Sequence, residues 1–331
     1  MATIHRHGFT RLSGGEGSDD QFSLNIIFVH GLRGHPRCTW EAGPVARSER
    51  NSDATEKPKG FKYFFRRRAA KSPLTSTEQT QASSSPSSSY TVFWPEQYLV
   101  SDIPQARVWT YGYNADVIGG LFRANNKNSI SQHGRDLSVR LEREIESRKP
   151  IAFVVHSLGG IIVKDAIHRS EKIREWTKLV IFLGTPHRGS AYAGWGQIAS
   201  NLARLALQDS NKRVLETLEV NSEVLDNIHE EFKTIVFKGG IKVHSFQEAR
   251  GISGMKGVDE KVVDDFSSKL DLPQTLETVE SIDANHMQMA RYSSKDDEGY
   301  RAIYGVLKSF IQQELESQRI SPANAAEVSC T

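Results

Sequence analysis

The chain has 331 residues, and its content of 38% hydrophobic and 25% charged residues excludes disorder along the whole length. Its 42 Lys and Arg residues nearly balance 40 Asp and Glu residues, and the formal net charge of +2 is too small to attract nucleic acid or anionic lipid to the whole molecule. Two cysteines, Cys38 and Cys330, are too few for a disulfide framework or a cysteine-based zinc site, which favours a reducing compartment.

Targeting and membrane signals are weak in this sequence. No apolar stretch of the kind found in signal peptides follows the first residues. The longest apolar runs have the length of strands, far short of the roughly 20 residues that span a bilayer. We therefore expect a cytoplasmic protein without transmembrane segments, and peripheral membrane contact stays open.

The first third of the chain predicts two buried strands separated by a polar insertion. Residues 24–29 are mostly apolar and end at His30-Gly31, which is typical of a core strand that stops in a turn. Residues 47–89 are rich in Lys, Arg, Ser, Thr and Pro, a composition that predicts a disordered insertion. Order resumes near Tyr90, and residues 106–112 predict a second strand closed by glycine.

Strands and helices alternate through the remainder. Residues 151–155 are apolar at every position, as a strand covered by helices on both faces requires. Hydrophobic periodicity predicts further helices over residues 130–147, 159–169 and 298–317 and further strands over residues 178–183, 241–246 and 278–282. This alternation predicts an α/β class with a mainly parallel central sheet and helices on both faces, in a single domain over residues 1–331.

Two segments fall outside this alternation. Helical stretches over residues 192–207 and 213–237 follow one another without a strand between them. We interpret residues 192–237 as a helical cap over the site. Residues 318–331 are polar and predict a flexible tail.

A serine stands directly after the central strand, in Val155-His156-Ser157-Leu158-Gly159. A sharp turn between strand and helix would present the Ser157 hydroxyl above the sheet edge, which is the nucleophile elbow of the α/β-hydrolase fold. A serine hydroxyl is a poor nucleophile at neutral pH and needs an imidazole base, an acid that orients the base, and donors for the oxyanion. The pattern departs from G-x-S-x-G at Val155, where the first glycine is expected.

The base and the acid are sought downstream of the serine, in the chain order of this fold. His286 follows the last predicted strand and is the candidate base; His156 and His187 compete for this role, and His156 is expected to point away from the elbow. Glu248 ends the preceding strand and is the candidate acid, with Asp264 in reserve.

The candidate oxyanion hole combines two backbone N–H groups. His30-Gly31-Leu32 follows the first core strand, where this fold places one donor, and the residue after the nucleophile supplies the other. We therefore propose the N–H groups of Leu32 and Leu158. A glycine-rich turn without a catalytic role stays an alternative for the first.

Six stretches resemble the SesB-type and serine-active-site-containing lipases and esterases, which are common in fungi and related to glycosylphosphatidylinositol-deacylase-like proteins. The stretches are residues 27–32, 111–113, 156–160, 182–190, 245–248 and 285–286. The most specific is Leu-Gly-Thr-Pro-His-Arg-Gly-Ser over residues 183–190. The resemblance implies an ester-hydrolysing fold with Ser157 and His286 catalytic, although members usually have glycine where Val155 stands.

We predict a serine esterase or lipase that cleaves a small-molecule or lipid ester through an acyl-enzyme. No zinc-protease, Walker or dinucleotide-binding motif occurs, so we expect neither metal nor cofactor. The basic run over residues 62–68 is interpreted as a solvated surface, and no nucleic-acid partner is predicted. Two alternatives stay open: an acyltransferase, thioesterase or lactone-forming enzyme, and a catalytically degenerate hydrolase that acts as a signalling or binding module.

Overall fold

The computed structural model describes residues 2–13, 22–45, 90–115, 129–145, 149–189, 194–206, 222–252 and 261–327. The insertion predicted over residues 47–89 lies outside these ranges. So do residues 207–221 of the predicted cap and residues 328–331 of the predicted tail.

Within the described residues, seven strands form one central sheet in the order β1-β5-β2-β6-β7-β8-β9. Neighbouring strands are parallel, except that β1 pairs antiparallel with β5 at the edge. Strands β3 and β4 form a separate antiparallel pair. The strands are β1 (Gly8–Arg11), β2 (Leu24–Val29), β3 (Glu41–Val45), β4 (Tyr90–Phe93), β5 (Ala106–Gly112), β6 (Ile151–His156), β7 (Thr177–Leu183), β8 (Lys242–Glu248) and β9 (Glu277–Ile282).

Helices cover both faces of this sheet. They are α1 (Ile130–Glu144), α2 (Gly159–Arg169), α3 (Glu171–Trp176), α4 (Trp195–Ala206), α5 (Ser222–Phe237) and α6 (Glu298–Glu327). Side chains from α1, α2, α4 and α5 join one hydrophobic cluster, and those from α6 join a second cluster with β3 and β4. Among the described helices, including the 30-residue α6, none combines the length and apolar character that crossing a bilayer requires.

The central strand β6 shows why apolar runs of this kind become strands. All six of its residues are buried. Because successive side chains of a strand point to opposite faces, Phe153 and Val155 enter the first cluster while Ala152 and Val154 enter the second. Each fully buried large apolar side chain contributes about 1.5–3 kcal/mol, so only a strand that is apolar at every position suits this place.

The predicted α/β-hydrolase fold, with its mainly parallel sheet and helices on both faces, is confirmed. Two of the strands, β2 and β5, have the predicted bounds, and most other elements differ by a few residues. Helix α6 continues to Glu327, so residues 318–327 of the predicted tail are helical. Sequence reasoning did not include β1, β3 or the short α3.

Candidate active site

Ser157 lies in the turn between β6 and α2 with its backbone in the left-handed region, at a φ of +54°. Such a φ costs a residue with a side chain about 1–3 kcal/mol unless the surroundings hold it. Here the Ser157 N–H donates to the Leu183 carbonyl at 2.9 Å, and the Thr185 hydroxyl donates to the Ser157 carbonyl at 2.9 Å. The end of β7 therefore maintains a strained turn between a strand and a helix, with Ser157 in it.

Close backbone packing around the turn depends on glycines. A Cβ on Gly159 would lie 2.4 Å from the His30 carbonyl oxygen, and one on Gly31 would lie 2.6 Å from the Ser157 Cβ. Val155, which stands where the G-x-S-x-G pattern has its first glycine, is fully buried in the core. At Val155 the register with β2 and with β7 continues without a shift. The sheet thus accommodates valine, and Gly159 allows the first turn of α2 to approach the β2 end.

His286 and Glu248 face each other in the interior, next to the ends of the last two strands. Glu248 is the final residue of β8 and His286 follows β9. The His286 Nδ1 lies 3.4 Å from the Glu248 Oε1, and both side chains are at most 1% exposed. The same oxygen accepts the Val263 N–H at 2.6 Å. Neither ring nitrogen of His286 makes a hydrogen bond within the described part of the chain.

Asp264, the reserve acid, is engaged in a local turn. Its Oδ1 accepts the N–H groups of Phe266 and Ser267 at 2.9 Å each, and its Oδ2 accepts the Ser267 hydroxyl at 2.9 Å. These are the bonds of an aspartate that stabilises a turn through its own side chain. The structure therefore brings Glu248, and not Asp264, next to His286.

The segment that carries Leu32 is tied to the end of β2. The ring of Tyr113 stacks on that of His30 with centroids 4.4 Å apart, and its hydroxyl donates to the His30 carbonyl at 2.9 Å. Arg33 adopts a φ of +48°, and its N–H donates to the Ala115 carbonyl at 3.0 Å. Leu158 precedes α2 as its N-cap residue, so its N–H lies at the positive end of that helix.

A cavity of about 360 Å³ joins these elements. Ser157 and His286 both line it, and α4 of the predicted cap region contributes Leu202 and Leu205. The other lining residues are Gly34, an apolar pair, Leu32 and Met287, and a polar group, Arg33, His35, Cys38, Thr39, His156 and Arg291. The candidate nucleophile and the candidate base therefore share one amphipathic cavity of the size that small-molecule sites have.

His156 is buried and contacts the candidate base through the main chain. Its Nε2 lies 2.8 Å from the carbonyl oxygen of His286, and the two rings pack with centroids 4.9 Å apart. Burial, reinforced by the neighbouring His286, lowers the pKa of His156 to about 3. The sequence predicts that this side chain points away from the elbow and assigns it no role. The alternation of side chains along β6 is the signal that could have indicated which face of the sheet it occupies.

His187, the other competing histidine, lies away from the cavity in a buried basic cluster with Lys164 and His229. Its ring packs edge-on against Phe182 at 4.6 Å, and neither ring nitrogen has a hydrogen-bond partner within the described residues. Burial lowers the pKa of His187 well below its ordinary value and that of Lys164 to about 7. Across the described ranges, no group of three His, Cys, Asp or Glu side chains is placed to hold a metal ion.

Comparisons with known proteins give distant similarity. No family model matches the chain. Over 300 residues it is 23% identical to Protein SERAC1 of Bos taurus and 20% identical to Protein SERAC1 of Homo sapiens, in each case across 88% of this chain and 40% of that protein. The chain thus spans about 40% of the length of these curated relatives.

Two of the solved structures of similar fold come from bacteria. A putative aryl esterase from Burkholderia cenocepacia has 12% identity and a TM-score of 0.45, with 93% of this chain and 94% of that chain covered. A lipase-esterase related protein from Clostridium acetobutylicum has 8% identity and a TM-score of 0.45, with 92% and 100% covered.

Proposed function

We propose, with the α/β-hydrolase fold and the similarity to Protein SERAC1 as premises, that this chain is a serine hydrolase of carboxylic esters. The observation that carries the proposal is a left-handed Ser157 in one cavity with His286, whose Nδ1 faces a buried Glu248. We also propose that the chain is related to the SesB-type lipases and esterases that its motifs resemble.

The proposed reaction has two stages. The Ser157 Oγ attacks the ester carbonyl while the His286 Nε2 takes the hydroxyl proton, and the same nitrogen then protonates the departing alcohol. Water, deprotonated by His286, next attacks the acyl-enzyme and releases the carboxylic acid together with free Ser157. Glu248 fixes the tautomer of His286 and stabilises the imidazolium, because its carboxylate is the acceptor next to Nδ1.

The oxyanion of each tetrahedral intermediate would be held by the N–H groups of Leu32 and Leu158. Support comes from their positions, one at the end of β2 and the other at the N-terminus of α2, on either side of the turn that carries Ser157. Backbone donors held in place before the reaction stabilise developing charge without reorganisation.

A small-molecule or lipid ester is the proposed substrate class. The apolar Leu202 and Leu205 on one side of the cavity suit an acyl group, and the polar side with Thr39 and Arg291 suits the remainder of an ester. A cytoplasmic location, with peripheral membrane contact still open, stays a prediction from the composition.

The experiment that tests the proposal is labelling with a fluorophosphonate probe, followed by intact-mass analysis. We expect one probe adduct on wild type, none on Ser157→Ala, and a wild-type rate for the control Ser309→Ala, which changes an exposed serine on α6. Equal labelling of wild type and Ser157→Ala would exclude Ser157 as the nucleophile.

A second candidate, a hydrolase fold that binds a ligand or partner without turnover, is favoured by two observations. His286 makes no side-chain hydrogen bond within the described residues, and the elbow carries Val155 instead of glycine. An acyl-enzyme seen by mass spectrometry with any activated ester would eliminate this candidate. Transfer of that acyl group to an added alcohol, thiol or amine in preference to water would instead favour an acyltransferase reaction, and faster hydrolysis of a thioester than of the matching ester would favour a thioesterase.

A further inference from the structure

His156 connects the candidate nucleophile to the candidate base. It is covalently bonded to Ser157, and its Nε2 lies 2.8 Å from the main-chain oxygen of His286, a residue 130 positions away along the chain. The distance and the burial of both groups describe a hydrogen bond shielded from water.

The chemistry of the two groups defines the direction of this hydrogen bond. A carbonyl oxygen only accepts, so the Nε2 of His156 must carry the proton. Burial lowers the pKa of His156 to about 3, so the ring is neutral at physiological pH and only one of its two nitrogens carries a proton. His156 is therefore a neutral Nε2–H donor whose Nδ1 carries no hydrogen.

The base itself has few other restraints. The His286 ring makes no hydrogen bond within the described residues, and its Nδ1 is 3.4 Å from Glu248. The following turn is held by the Asn285 side chain, whose Oδ1 accepts the N–H groups of Met287 and Gln288 at 3.1 and 3.0 Å. These bonds shape the turn locally but do not fix its distance from the elbow.

Packing holds the ring of His156 in the orientation that this bond needs. It contacts the His286 ring, with centroids 4.9 Å apart. The buried Trp40 stands edge-on to it, with centroids 6.4 Å apart. These two contacts limit the rotation that would withdraw the donor.

We propose that His156 is a positioning residue, which sets the spacing between Ser157 and His286 by holding the main chain of the base through its Nε2–H. The inference rests on the proposed function, because spacing matters only if these two residues react together. Misplacement of reacting groups by about 1 Å can cost on the order of 10²-fold in rate. We therefore expect the hydrogen bond to act on the steps in which His286 transfers protons and to leave substrate binding nearly unchanged.

Two substitutions separate the donor from the ring. His156→Phe keeps an aromatic ring of similar shape without a donor. His156→Gln removes the ring and keeps an amide nitrogen the same number of bonds from Cβ as Nε2. We expect His156→Phe to slow fluorophosphonate labelling and lower kcat by about 10–100-fold with little change in KM, and His156→Gln to recover most of that loss.

Two results would overturn the inference while the proposed function stands. One is a His156→Phe variant that reacts as fast as wild type. The other is equal slowing in both variants, since the ring and not the donor would then be responsible. Wild type that fails to label at Ser157 would instead refute the proposed function.

If His156→Phe does not fold, a spectroscopic measurement on wild type still tests the proposed hydrogen bond. Long-range ¹H–¹⁵N NMR of the histidine side chains, with His156 assigned by its loss in His156→Gln, reports which ring nitrogen carries the proton. We expect the Nε2–H tautomer at neutral pH. A protonated Nδ1 would contradict the proposed hydrogen bond whether or not the protein turns over.

Discussion

Gly31→Ala introduces one methyl group at a crowded point of the candidate site, directly against Ser157. The added Cβ would lie 2.6 Å from the Ser157 Cβ, 3.0 Å from the His156 carbonyl oxygen and 3.2 Å from the Ser157 Oγ. Ordinary contact begins at 3.4 Å, so the segment after β2 and the elbow must separate by about 0.8 Å. Neither segment moves easily, because Tyr113 holds the segment after β2 and β7 holds the elbow.

The expected effect follows from that displacement. A shift approaching 1 Å at the nucleophile and at the nearby Leu32 N–H should slow labelling by about 30–100-fold, and the overpacking should destabilise the protein by about 1–3 kcal/mol. The assay is the second-order rate constant for fluorophosphonate labelling, with thermal unfolding measured in parallel. The matched control is Gly305→Ala in α6, whose added Cβ meets no atom within 4 Å. A Gly31→Ala variant that labels like wild type would refute the reasoning.

The remaining predictions concern charges. Glu248→Gln should slow Ser157 labelling by about 10²–10⁴-fold, whereas Asp264→Asn should lower the melting temperature and label normally; equal losses would contradict Glu248 as the acid. Burial lowers the pKa of Lys164 from 10.5 to about 7, so the unfolded chain binds more protons between these values and stability should rise with pH across that window. In urea titrations, Lys164→Met should lose this pH dependence of stability and be about 1–4 kcal/mol more stable than wild type at pH 7. A variant whose stability changes with pH as in wild type would refute this prediction. Burial also lowers the pKa values of His187 and His229, so stability should fall as pH drops below 6.5, and a flat urea-unfolding profile from pH 7 to pH 4.5 would contradict this.

The elements that could be predicted from the sequence are those whose burial leaves a local trace. Residues 151–155 of β6 are apolar at every position because both faces of the strand are covered, and this run made the strand predictable. Strand β1 has four residues and pairs on one side only, with β5, so it carries no such run. Strand β3 pairs with β4 across more than 40 intervening residues, and nothing local marks that pairing.

In the candidate site, too, some residues have a local sequence signal and others do not. Glu248 could be chosen because the end of a strand is a fixed place in this fold, and the turn-forming Asp264 has a hydroxyl residue, Ser267, three positions later as its own local signal. The contact between His156 and His286 joins the end of β6 to the segment after β9, 130 residues further along the chain. No pattern within either segment encodes that contact.

The pairing of β3 with β4 has a further consequence for the stretch between them. Val45 and Tyr90 are partners in register, so the two described residues that flank the intervening sequence lie at adjacent points. The closure entropy of a flexible loop between two such points grows only as the logarithm of its length, by about 0.6 kcal/mol per doubling. Replacing the intervening residues with a short turn would therefore leave both strand ends in place, and a foreign domain with neighbouring termini could be spliced between the same two residues.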